Sequence, residues 1–323
     1  FIKMKKIALC FLIFACLISC KNEDSNRKAI DAIPIELQIH RFDREFATAK
    51  PSDIPFLKTK YPYLFPKQYP DSVWTNKIKD TLFQSLYKNV DSVFGDFEMQ
   101  KKELADLYKH RKFYFSEVKT PQIVTVISEV DYTNKVILTD SLLLLSLDTY
   151  LGSKHPFYEG IPRYLSYNLK KENLSVDVAA ENAQRLIKQK PDRTFLSQMI
   201  YWGKVYYLVD LFLPDKPDAT KLGYRKEELE WAKENETYIW LYFIDREMLY
   251  STDSTITERF INPAPFSKFY LEIDQDSPGR IGQYLGWRIV DSFMKNNPVS
   301  LQELLDLDAQ TLFEKSKFKP LKP

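Results

Sequence analysis

The chain has 323 residues, with 46 Lys and Arg against 44 Asp and Glu for a formal charge of +2, and a balance this even leaves no electrostatic footprint for nucleic acid. Aromatic residues make up 15% of it and there are only eight glycines, which argues against a many-turned all-β fold and favours helices. A chain this long can bury a sizeable core.

The first segment reads as an export signal. Phe1-Ile2-Lys3 precede Met4 and read as lying upstream of the true start. Lys5-Lys6 supply a positive start, Ile7 to Ile18 a short apolar core, and Leu17-Ile18-Ser19-Cys20 the end of it. That core is too short for a permanent membrane span. A cysteine directly after Ser19 makes the signal the lipoprotein type: residues 1–19 are expected to be removed and Cys20 to be acylated as the first mature residue. Cys10 and Cys16 leave with the signal, so Cys20 is the sole remaining cysteine and no disulfide is expected. Acyl chains would then hold the protein at the membrane, each buried methylene contributing about 0.8 kcal/mol.

Residues 20–33 are polar and charged, the composition of a tether. Residues 34–323 are expected to form one α+β domain, a small β-sheet in the N-terminal half followed by a predominantly helical half. Ile35, Leu37 and Ile39 alternate with polar residues and predict a strand. Five prolines between Pro51 and Pro70, mixed with Tyr61, Tyr63, Phe65 and Tyr69, predict an irregular, aromatic surface stretch. Trp74, Ile78, Leu82, Leu86 and Val90 recur every four residues and predict a single amphipathic helix. A second helical stretch runs through Leu104, Leu107 and Tyr108 to His110. Short β-rich runs follow at 122–127, 135–138 and 141–147. Beyond Asp148 helices are predicted near 176–189, 194–212, 226–249, 282–297 and 300–305, with Pro191, Pro214 and Pro298 at the breaks. No segment after Cys20 is apolar for long enough to cross a bilayer.

Little in the chain carries recognisable chemistry. The three histidines, His40, His110 and His155, lie beyond helical reach of one another, so no metal and no cofactor is expected. His155 reads as a turn residue bonded to backbone. Asp148, Asp210 and Asp245 sit beside aromatics, and each reads as a cap or ion-pair partner before it reads as a catalytic acid. Asn235-Glu236-Thr237 fits a glycosylation acceptor by chance. Gly282 and Gly286, four apart, predict a close approach between two helices.

Several long segments resemble the GldB family of gliding-motility lipoproteins. They are Arg41-Phe42-Asp43, Ser146-Leu147-Asp148-Thr149-Tyr150-Leu151-Gly152, Met199-Ile200-Tyr201-Trp202-Gly203-Lys204, the run from Trp231 to Trp240, the run from Pro278 to Val290, and Ser316-Lys317-Phe318-Lys319-Pro320. The resemblance implies an envelope lipoprotein needed for gliding and associated with the type IX secretion machinery, with other gliding and secretion proteins as partners and no catalytic role. The family is similar, more distantly, to zinc peptidases with His-Glu-x-x-His on a helix, which implies a zincin-like scaffold. Here the matching helix has Ala180-Glu181-Asn182-Ala183-Gln184, keeping the glutamate without the histidines, and Trp202-Gly203-Lys204 stands where a further ligand is expected. Glu181, Trp202 and Lys204 are therefore candidate residues of a vestigial cleft. Two alternatives follow from it, a degenerate peptidase-like enzyme and a module binding a peptide or glycan in the old substrate cleft.

Overall fold

Pro121 decides where the sheet begins. The computed structural model describes residues 25–321 apart from Val118 and Gln189, and its sheet has four strands in the order β1-β2-β4-β3. These are β1 (Ile39–His40), β2 (Gln122–Val126), β3 (Val136–Leu138) and β4 (Leu142–Ser146). β1 and β4 run parallel to β2, and β3 returns antiparallel to β4. The register pairs Ile39 with Ile123, so Leu37 would face Pro121, which has no N–H to offer a ladder. The expected strand over Ile35–Ile39 is accordingly cut to its last residue and His40, while Ile35 and Leu37 pack half-buried on the first core without pairing. β2 and β4 are buried on both faces. Ile123, Leu143 and Leu145 point into that first core, and Val124, Leu142 and Leu144 into a second, aromatic one.

The helices between β1 and β2 divide between the two faces of the sheet, residues 42–83 packing into the second, aromatic core and residues 90–108 into the first. Residues 25–31 form α1, followed by α2 (Phe42–Ala47), α3 (Ile54–Lys60), α4 (Asp71–Lys79), α5 (Thr81–Phe94) and α6 (Glu98–Tyr114). α1 corrects part of the expected free tether over 20–33: Ile30 is buried, Arg27 pairs with Asp215 at 2.9 Å, and Lys109 donates to the Asp31 carbonyl at 3.1 Å. The proline-rich stretch is more regular than its composition suggests. Pro51 and Pro55 occupy first-turn positions, where a missing N–H costs nothing. Its Tyr61 and Phe65 are buried with Phe46 and Phe83, while Phe56, Tyr63 and Tyr69 stay exposed. The single helix expected from Trp74 to Val90 is two, because Asp80 leaves helical geometry (ψ 129°) and caps α5 by accepting from the Phe83 N–H at 2.7 Å.

After β4 the chain is helical, as expected: α7 (Arg163–Ser166), α8 (Leu174–Leu186), α9 (Phe195–Phe212), α10 (Asp218–Leu222), α11 (Lys226–Glu234), α12 (Glu236–Asp245), α13 (Ser254–Phe260), α14 (Ile281–Asn296), α15 (Leu301–Asp306) and α16 (Ala309–Ser316). α9 is the shared pillar. Val205, Leu208, Val209 and Phe212 belong to the first core, and Phe195, Leu196, Met199 and Ile200 to the helical one. α14 crosses it backbone against backbone: a Cβ added to Gly286 would lie 1.8 Å from the Met199 oxygen, and one on Gly203 would lie 2.2 Å from the Gly286 oxygen. The predicted close approach therefore occurs, with Gly203 as the partner glycine. The helix expected over 226–249 breaks at Asn235, whose amide donates to the Trp231 carbonyl at 2.9 Å. The break lets Glu236 turn fully inward to accept from the Tyr284 hydroxyl (2.6 Å), the Arg288 Nε (3.0 Å) and the Leu321 N–H (2.9 Å). Among the described residues no helix is long and apolar enough to cross a membrane.

Candidate binding cleft

The two halves of the molecule enclose a cleft of about 1450 Å³. α8 supplies one face through Asp177, Ala180, Glu181 and Gln184, which the helical repeat places on a common side. α9 adds Trp202 and Tyr206, one turn apart with ring centroids 6.3 Å from each other. The loop from Ser153 to Asn173, carrying Tyr164 and Tyr167, forms the rim. The far end is closed by residues 220–225 and by Gly279 and Arg280 at the start of α14.

At the near end Asp177 accepts from Lys135 Nζ at 2.5 Å and from the Tyr150 hydroxyl at 2.8 Å. Burial, with the Asp177 charge second, holds the Tyr150 phenol far above its usual range. Glu181, one turn on, has no hydrogen bond or ion pair among the described residues. Burial first and Asp177 second push its carboxyl up, against the pull of Lys135 and Arg185.

At the far end Arg280 holds a left-handed backbone (φ 60°). It donates to the carbonyls of Leu222 and Gly223 at 2.9 and 3.3 Å and to the Tyr206 hydroxyl at 3.4 Å, with no carboxylate in ion-pair range among the described residues. Tyr206 passes its own proton to Gln283 at 2.7 Å. Gly223 is required here: its φ is +66°, and an added Cβ would meet the Asn168 amide at 2.9 Å and Arg280 at 3.0 Å. The remaining inner charges are neutralised in place, Lys221 by Asp210 and Asp218, and Arg225 by Glu228. His155 is a turn residue as expected, Nδ1 accepting from the Phe157 N–H at 3.3 Å and Nε2 meeting the Asn89 side-chain oxygen at 3.0 Å. Among the described residues no three His, Cys, Asp or Glu side chains converge as metal ligands would.

A family model described as gliding motility protein GldB matches residues 23–320. The chain belongs to this family. No curated protein and no solved structure matches it. As a GldB-family protein it is a membrane-anchored lipoprotein of the cell envelope that serves gliding motility, in association with the gliding and secretion machinery.

The GldB-family chain brings two of the three expected cleft residues together. Glu181 and Trp202 line the cavity. Lys204 lies on another side of α9, buried, where its ammonium donates to the carbonyls of Leu305 (3.1 Å) and Leu307 (2.7 Å) and so caps the C-terminus of α15. Burial pushes its pKa down to about 8. Asp148 is a buried acceptor for the N–H groups of Ser128 (3.0 Å) and Val130 (2.6 Å). Asp210 binds Lys221 and accepts from the Trp287 indole at 2.6 Å, and Asp245 ends α12 in solvent. Sequence reasoning missed Asp177 and Arg280. Arg280 stands inside the Pro278–Val290 run, where the flanking glycines drew the reading toward helix packing. Cys20 and the signal at 1–19 lie outside the described residues.

Proposed function

We propose that this lipoprotein acts by contact: removal of residues 1–19 and acylation of Cys20 hold it at the membrane, and the cleft receives a protein of the gliding and secretion machinery. The observation carrying this reading is a preformed cavity of about 1450 Å³ whose floor is aromatic, through Trp202 and Tyr206, and whose polar groups are mostly fixed by partners of their own. Aromatic anchors in a preorganised concavity are where interfaces concentrate their energy. The exposed Phe56, Tyr63 and Tyr69 offer a second, flatter contact.

The test is chromosomal replacement with Trp202→Ala and, separately, Cys20→Ala, scored by colony spreading and by fractionation. Cys20→Ala should release the protein from the membrane fraction. Trp202→Ala should stay membrane-bound at normal abundance and spread poorly. Full spreading by a stable Trp202→Ala strain would remove the cleft from the function.

A further inference from the structure

Resting on the reading of the cleft as the contact site, we infer that its occupant is an extended peptide carrying two opposite charges, a basic side chain seated against Glu181 and a carboxylate seated against Arg280. Several charges in the cleft already have a counterpart. Lys135 and Asp177 satisfy each other, as do Lys221 with Asp210 and Arg225 with Glu228. Lys154, Glu159 and Arg163 have no ion pair among the described residues but stand exposed on the rim, where water solvates them. Glu181 and Arg280 differ from both groups. They are withdrawn from solvent, and neither makes an ion pair among the described residues: the cations nearest Glu181, Lys135 and Arg185, are already bound to Asp177 and Asp140, and Arg280 meets only carbonyls and a phenol.

A half-buried carboxylate without a cation is held at a loss, which a ligand cation would reverse. A guanidinium bonded only to carbonyls and a phenol keeps its positive charge unmatched and offers charge-assisted bonds to an incoming carboxylate. The two sites belong to one ligand, since both line the same cavity and are joined along its floor: Arg280 donates to the Tyr206 hydroxyl, and the Tyr206 ring lies 6.3 Å from that of Trp202, which lines the cavity with Glu181. A neutral glycan would satisfy neither group. An anionic glycan would satisfy Arg280 and be repelled by Glu181 and Asp177. A peptide with a lysine or arginine upstream of an acidic residue or a free C-terminus meets both, with its backbone over Trp202 and Tyr206.

The test uses the mature chain and acetyl-Lys-(Ala)n peptides of increasing length with a free C-terminal carboxylate, titrated by calorimetry and by indole fluorescence. At the best length, replacing Lys with norleucine should weaken binding about tenfold, and so should amidating the C-terminus. Glu181→Gln should abolish the response to norleucine while keeping the response to amidation. Arg280→Gln should do the reverse. Arg280 also holds backbone carbonyls, so Arg280→Lys, which keeps the charge, is the control for folding and should retain the preference for the carboxylate. The peptide modifications require no mutation and decide the matter by themselves. Equal affinity for charged and neutralised peptides, or binding of chitooligosaccharides with none of peptide, would overturn the assignment while leaving the cleft a binding site. Loss of spreading in the Trp202→Ala strain with no peptide of the series bound would likewise overturn it alone, whereas normal spreading in that strain would remove its foundation.

Discussion

A single methyl group at Gly286 would have to share space with the Met199 carbonyl oxygen, 1.8 Å away, and neither backbone can retreat without unpacking a helix. Gly286→Ala should therefore destabilise the protein by more than about 3 kcal/mol in denaturant titration. Gly152→Ala should cost less, about 1–3 kcal/mol, because its φ of +120° is strained for alanine but the space around it is open. Lys204 gives a pH signature instead. In the folded protein its pKa is near 8 and in the unfolded chain near 10.5. Between those values the unfolded chain holds a proton that the folded one has released, so stability rises with pH across the window. Relative to Lys204→Met, the wild type should gain on the order of 2–3 kcal/mol from pH 8 to 10.5, read from urea midpoints at each pH. A flat difference would mean that the ammonium is as well solvated in its nest of carbonyls as in water.

Helix breaks are where the elements depart from their pattern. Periodicity alone reads straight through the bend at Asp80, because Ile78, Leu86 and Val90 are all buried on either side of it, Ile78 in the aromatic core and Val90 in the first. The signal for two helices was the cap itself, an aspartate three residues ahead of Phe83. Asp80→Ala should lower stability by about 1 kcal/mol and fray the start of α5 in hydrogen exchange, leaving α4 protected. The split at Asn235 had no such local sign. Glu236 turns inward because Arg288 and Tyr284, some fifty residues away on α14, are there to receive it, and only the tertiary structure brings them together. The same holds for the site: Glu181 was legible from the helix set against the peptidase motif and Trp202 from a segment resembling the family, whereas the lack of an ion pair at Arg280 depends on which carboxylates the fold keeps away.

Across the whole molecule α9 makes one architecture from two cores, and the cleft opens where the strand-bearing half meets the helical half. Small sheet and helical remainder were readable from β-rich runs and from helical periodicity. The docking of α1 was not, because Arg27 and Lys28 give it a polar composition, and Ile30 is the one buried apolar side chain it contributes. That docking has a mechanical consequence under the proposed acylation of Cys20. Five peptide steps separate Cys20 from Ser25, and fully extended they reach at most about 18 Å. With α1 pinned through Ile30 and the Arg27–Asp215 pair, the leash is shorter than the body it holds. So anchored, the particle would ride close against the lipid headgroups with the α1 flank turned toward them, presenting its other sides to neighbours in the envelope.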